Sequence, residues 1–172
     1  MTGIYRQNLK GRLDEMKKYE LTGKTKEVEI FGKKITLHRI QAIADFGKVK
    51  AGDVGGWIEK EANLTQEGNA WVSGTAWVSG DAVVSKNARV SGNARVFSTN
   101  DMLVIGPIGS RNDFTTFYRD KDNEITVSCG SFVGKLDQFL EKVTQTHGES
   151  IYAQVYRAAA EMAKLQIELS KE

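Results

Sequence analysis

A chain of 172 residues can bury a real core but is short for two large domains. Its 24 Lys and Arg against 22 Asp and Glu leave a net charge of +2, which gives no bulk electrostatic case for nucleic-acid binding. A single cysteine, Cys129, excludes an internal disulfide framework and a cysteine-rich zinc site.

Two histidines, His38 and His147, would leave most positions of any metal site to carboxylates, so neither a metal nor a cofactor is expected. No apolar run approaches the roughly 18–20 residues that span a bilayer, and the N-terminus has no apolar stretch of a signal peptide. A soluble, cytoplasmic protein is expected, with no membrane or nucleic-acid partner.

In chain order, residues 4–18 read as a weak polar helix with Ile4, Tyr5, Leu9, Leu13 and Met16 near helical spacing. Residues 27–40 read as a β-hairpin. Val28 and Ile30, then Ile35 and Leu37, alternate with charges around a turn at Gly32. Residues 41–56 form a loop-rich bridge.

A six-residue period follows: GNAWVS (68–73), GTAWVS (74–79), GDAVVS (80–85), KNARVS (86–91) and GNARVF (92–97). Gly56-Trp57-Ile58 and Ala62-Asn63-Leu64 share its small–x–aliphatic core, with a two-residue insertion between Leu64 and Val72. Neighbouring side chains of an extended strand face opposite sides. With alanine and valine inward, the residue between them points out, and Ser-Gly or Gly-Asn turns the corner. Three strands then close a coil of 18 residues, which stacks Trp71 beneath Arg89, Trp77 beneath Arg95 and, allowing for the insertion, Trp57 beneath Trp77. Asn63 and Val83 fall on a second outer face. Bare tryptophan marks an interface or a ligand, so Trp57, Trp71, Trp77, Arg89 and Arg95 are candidate interface residues, for a homo-oligomer, the N-terminal hairpin, a foreign partner or a ligand.

After Val96 the pattern stops. Residues 102–108, 114–119 and 124–129 read as three strands, and Leu136, Phe139, Leu140 and Val143 as the stripe of a first helix. A longer helix follows from Ile151. Between the first two strands, Gly109, Ser110, Arg111 and Asn112 offer glycine backbone for close approach, a hydroxyl and a guanidinium fork for phosphate or carboxylate. Thr115, Thr116, Tyr118 and Arg119 are candidates to extend that lining. Gly130 to Lys135 misses the phosphate-loop pattern, with three residues between its glycines and Leu136 in place of Ser or Thr, and reads as a glycine-rich entry to the helix. Cys129 reads as a small buried residue.

The stretch from Leu37 to Val96 resembles the hexapeptide-repeat, left-handed β-helix proteins of phages and prophages. The residues that carry the resemblance are Asp45-Phe46-Gly47, Ala51 through Glu59, Asn63-Leu64 and the repeated Asn-Ala-x-Val. The tail from Ile105 to Gly130 is similar to a module that often follows such repeats. The wider hexapeptide family includes trimeric, CoA-dependent acyltransferases with a histidine general base on or beside the coils. Residues 54–100 hold no histidine.

The expected fold is therefore a short left-handed parallel β-helix (54–100), an N-terminal helix and hairpin cap (1–53) and a C-terminal α+β module (101–172). The expected function is non-catalytic. A phage-encoded homo-oligomer, with a trimer favoured, would sequester an anionic, nucleotide-like signal or inhibit a host defence protein. A CoA-dependent acyltransferase and a structural phage protein are the alternatives.

Overall fold

Strand β1 (Tyr19–Ile30) pairs antiparallel with β2 (Lys33–Ala42) across a two-residue turn. Phe31 (φ 50) and Gly32 (φ 78) both occupy the left-handed region there, which matches the twist of the flanking strands. The structure, a computed structural model, describes residues 17–167; the helix expected at 4–18 lies, but for its last two residues, outside them. The hairpin expected at 27–40 is a longer strand pair, with an irregularity between Leu21 and Thr25.

Strand β3 (Val54–Ile58) joins two kinds of pairing. One edge runs antiparallel to β2, with Arg39 opposite Trp57. The other runs parallel to β5 (Trp77–Val78), with Trp57 beside Trp77. Strand β5 pairs in parallel with β7 (Arg95–Val96), so the sheet order is β1-β2-β3-β5-β7. Strands β4 (Trp71–Val72) and β6 (Arg89–Val90) form a separate two-stranded parallel pair, and Leu64 bridges Val84.

These pairings correct the expected fold class. In place of a left-handed parallel β-helix, the structure has a mixed five-stranded sheet, a short parallel pair and a four-stranded antiparallel sheet with two helices. The repeat strands are two residues long, and those of one row continue the hairpin sheet instead of standing apart from it. The open edge of β3 explains this. An unpaired edge presents free N–H and C=O groups, and β2 covers it.

Within this arrangement the repeat's inward positions are filled as side-chain alternation requires. Ala70, Ala76, Ala82, Ala88 and Ala94 and Val72, Val78, Val84, Val90 and Val96 are all buried. Asn63 departs from the expected outward position. It is buried, donates to the carbonyls of Gly80 (3.2 Å) and Ala82 (2.9 Å) and accepts from Lys60 N–H. A buried amide needs such partners.

Strands β8 (Met102–Ile108), β9 (Asp113–Arg119), β10 (Ile125–Cys129) and β11 (Phe132–Lys135) form the antiparallel sheet, in the order β11-β10-β9-β8. The fourth strand occupies the segment read as a glycine-rich helix entry. Helices α1 (Leu136–His147) and α2 (Ile151–Gln166) follow, the second capped by Ser150. The sheet separates two cores. Tyr118 packs with the repeat's alanines and valines, whereas its neighbour Phe117 packs with Phe139, Val143, Tyr156 and the alanines of α2.

Candidate functional site

The period-2 alternation of β9 decides which candidate residues meet. Thr115 faces the helices, where its hydroxyl donates to Cys129 Sγ (3.4 Å). Thr116 faces the repeat and accepts from Arg89 N–H (3.0 Å). Tyr118, also on the repeat side, shares a hydrogen bond with Ser91 Oγ (3.2 Å). Arg119 pairs with Asp101 (3.1 Å), both nearly buried, and reaches Asn123. These four residues thus point to two different faces of the sheet and do not form one lining.

Ser110 and Arg111 do line a cleft, of about 390 Å³, between the β8–β9 turn, the β10–β11 turn and the helices. Gly109 and Asn112 shape that turn, with Asn112 N–H donating to Gly109 C=O (3.2 Å). Gly109 lies against the Tyr156 hydroxyl, so closely that a side chain there would collide with it. Its lack of a side chain accommodates the protein's own tyrosine.

Helix α1 adds Lys142, Thr146 and His147 to the same cleft. Phe132, Phe139 and Tyr156 supply aromatic surface. Their rings are packed together: Phe139 meets Tyr156 edge-on at 5.7 Å, and His147 stacks on Tyr156 at 5.7 Å. Among the described residues, the Arg111 guanidinium and the Lys142 ammonium make no hydrogen bond or ion pair. Tyr156 holds its proton strongly. Burial, the neighbouring Cys129 and the negative charge of Asp113 push its pKa up to about 12, against the opposing pull of Arg111. Its hydroxyl is therefore a neutral donor or acceptor at physiological pH.

Among the described residues the cleft combines uncommitted positive charge with hydroxyls, the half-buried ring of Phe132 and the edges of the buried Phe139 and Tyr156, a set suited to an anion beside apolar surface. Phe139 and Tyr156 are legible in the sequence only as helix periodicity, which assigns them to packing, and no pattern singles out Lys142.

The tryptophans are placed differently. Trp71 is buried between Tyr19 and Phe46, at ring distances of 6.4 and 5.3 Å. Trp57 is buried beneath Arg39 and Lys26 of the hairpin. Trp77 lies half-buried between Lys26 and Arg95. Arg89 turns toward a smaller polar cleft beside β9 and β10.

Fold and site define a mixed-sheet α+β protein with a cationic, aromatic-walled cleft. Neither the models of known protein families nor the curated proteins contain a match to this chain. No helix among the described residues is long and apolar enough to cross a membrane.

Proposed function

We propose that the protein is a non-catalytic binding protein that holds an anionic, nucleotide-like ligand in the cleft between the β8–β9 turn and helix α1. The observation that carries this reading is the convergence of Arg111 and Lys142, neither committed to a partner among the described residues, on a wall formed by Phe132, Phe139 and Tyr156. A guanidinium fork and an ammonium suit a phosphate. The half-buried ring of Phe132 offers apolar surface for a base. The cleft falls within the size range of small-molecule sites, about 300–1,000 Å³.

The resemblance of the repeat to phage and prophage proteins supports a role in the cytoplasm of an infected host cell, where sequestering a signalling nucleotide would blunt a defence response. A homo-oligomer, built on the repeat, would present several such clefts.

Isothermal titration against a panel of mononucleotides tests the reading. Binding at micromolar or tighter Kd is expected, weakened at least tenfold by Arg111→Ala and by Lys142→Ala. Absence of heat with every nucleotide, or affinity unchanged in both variants, overturns it.

A further inference from the structure

A second, smaller cleft of about 150 Å³ lies on the repeat side of the same sheet edge. It shares Asp113 and Gly130 with the first. Two clefts with a common wall accommodate one elongated ligand, and their side chains say what pattern of charge that ligand carries.

In the smaller cleft Arg89 is the cation. Among the described residues its guanidinium makes no ion pair or hydrogen bond. Two buried hydroxyls, Thr116 and Ser128, stand opposite each other on β9 and β10 and line the same space. Thr116 Oγ1 already accepts from Arg89 N–H (3.0 Å), so its own proton is available to donate outward. Asn87 Oδ1 accepts from Asn69 Nδ2 (3.5 Å), and among the described residues the Asn87 N–H groups make no hydrogen bond. Guanidinium, hydroxyl and amide donors together define a second place for an anion.

The shared wall has the opposite character. Asp113 is exposed, and one of its oxygens accepts from Phe114 N–H (2.7 Å). The other oxygen repels an anion but accepts from hydroxyl or amine groups. Gly130, beside it, has open space where a side chain would stand, so it sets no barrier between the clefts. The sequence of chemistries across the edge is cation (Arg111, Lys142), acceptor (Asp113), cation (Arg89). Its complement is anion, donor, anion.

On the reading proposed above, we infer that the ligand carries two anionic groups separated by a hydroxyl donor, the pattern phosphate–ribose–phosphate of a dinucleotide. One phosphate sits at Arg111 and Lys142, the 2′-hydroxyl of the intervening ribose reaches Asp113, and the second phosphate sits at Arg89.

Titration of the full chain with AMP and with the linear dinucleotide pApA tests this. pApA is expected to bind at least tenfold more tightly than AMP. Arg89→Ala should remove that advantage and leave AMP affinity within twofold of the parent. Arg111→Ala should weaken both probes. Unchanged AMP binding shows that the Arg89 variant is folded, and Arg89→Lys should recover part of the pApA affinity. If AMP binds in an Arg111-dependent manner while pApA gains nothing from Arg89, this inference falls and the mononucleotide reading stands. If neither probe binds, both fall together.

Discussion

Trp57 and Trp77 stand side by side on parallel strands, and one ammonium, Lys26 Nζ, lies over both rings at 4.2 and 4.9 Å. Arg95 covers the far side of the row, 3.8 Å from the Trp77 ring, and Arg39 stands 5.2 Å from that of Trp57. The hairpin therefore supplies what the tryptophan row needs within the same chain. The arrangement has an internal cost. Burial, then the charges of Arg95 and Arg39, lower the Lys26 pKa, so the three cations repel one another while each attracts a ring.

The consequence is a difference between two substitutions. Trp57→Ala empties a buried site and should cost about 3 kcal/mol, in the range of large-to-small core changes. Lys26→Met loses two cation–π contacts of roughly 0.5–1 kcal/mol each, relieves repulsion, and should change stability by less than about 1 kcal/mol. Urea unfolding of both variants measures the difference. A larger loss for Lys26→Met would show that the ammonium, rather than the ring packing, secures the hairpin to the repeat.

Asp120 organises the β9–β10 turn. Its Oδ1 accepts from the N–H groups of Asp122 (2.9 Å) and Glu124 (3.1 Å), and its Oδ2 from Thr126 (2.6 Å) and Lys135 (2.7 Å). Burial alone would raise its pKa, but these bonds, that of Lys135 foremost, outweigh burial and hold it below the ordinary carboxylate value of 3.8. A carboxylate depressed in the folded state adds stability that is complete above the unfolded pKa and is lost as pH falls through the folded one. Stability should therefore decline below about pH 4, and Asp120→Asn should flatten that decline. At pH 7 the variant should lose about 2 kcal/mol, because Lys135 keeps Asp122 and Glu124 as partners. Urea midpoints at pH 7, 4 and 3 measure both effects.

Gly109 and Tyr156 give a test that links packing to the cleft. Gly109 has φ +79, where a side chain is strained, and any side chain would meet the Tyr156 ring. Gly109→Ala should cost about 1–3 kcal/mol in stability and shift Tyr156 away from Cys129. Its effect on AMP binding should be a several-fold loss through the displaced ring. Near-ultraviolet circular dichroism and titration read the two outcomes.

Much of the register was legible in the sequence. The 18-residue spacing puts Trp71 beside Arg89 and Trp77 beside Arg95, and both pairs occur. The fold class built on that register was not, because a repeat says nothing about what covers its edge strand. Asn63 was misplaced for a related reason: its inward position depends on the carbonyls of Gly80 and Ala82, which no local pattern announces. Strand β11 escaped because Gly130 and Gly134 read as loop residues. In the cleft, Ser110 and Arg111 were legible as a polar turn after a buried strand. Lys142 and Tyr156 join them only through packing of helices on a sheet, which is long-range in sequence. Thr115 and Thr116 had to separate, since adjacent strand residues cannot share a face.

Lys18 and Tyr19 lie together at the start of the described chain and shape its alkaline behaviour. Lys18 is buried, donates to the carbonyls of Ala70 (2.7 Å), Gly68 (3.2 Å) and Glu67 (3.4 Å), and has its pKa pushed down by burial to about 8 from 10.5. Between those two values the unfolded chain binds more protons than the folded one, so this group makes stability rise with pH across that window. Tyr19 acts in the opposite sense. Burial, with the nearby Glu61, raises its pKa above the ordinary 10.0, so above that value the unfolded chain loses a proton that the folded one keeps, and stability falls. Unfolding free energy should therefore pass through a maximum near pH 10. Lys18→Met should abolish the rise and, by leaving the Ala70 carbonyl without its donor, cost about 1–3 kcal/mol at pH 7. Tyr19→Phe should abolish the fall, at a cost of about 1 kcal/mol at neutral pH for its hydrogen bond to Leu64 C=O (2.6 Å). Urea unfolding at pH 7, 9, 10 and 11 separates the two groups, and a Lys18→Met profile that still rises between pH 8 and 10 would assign the alkaline gain to another residue.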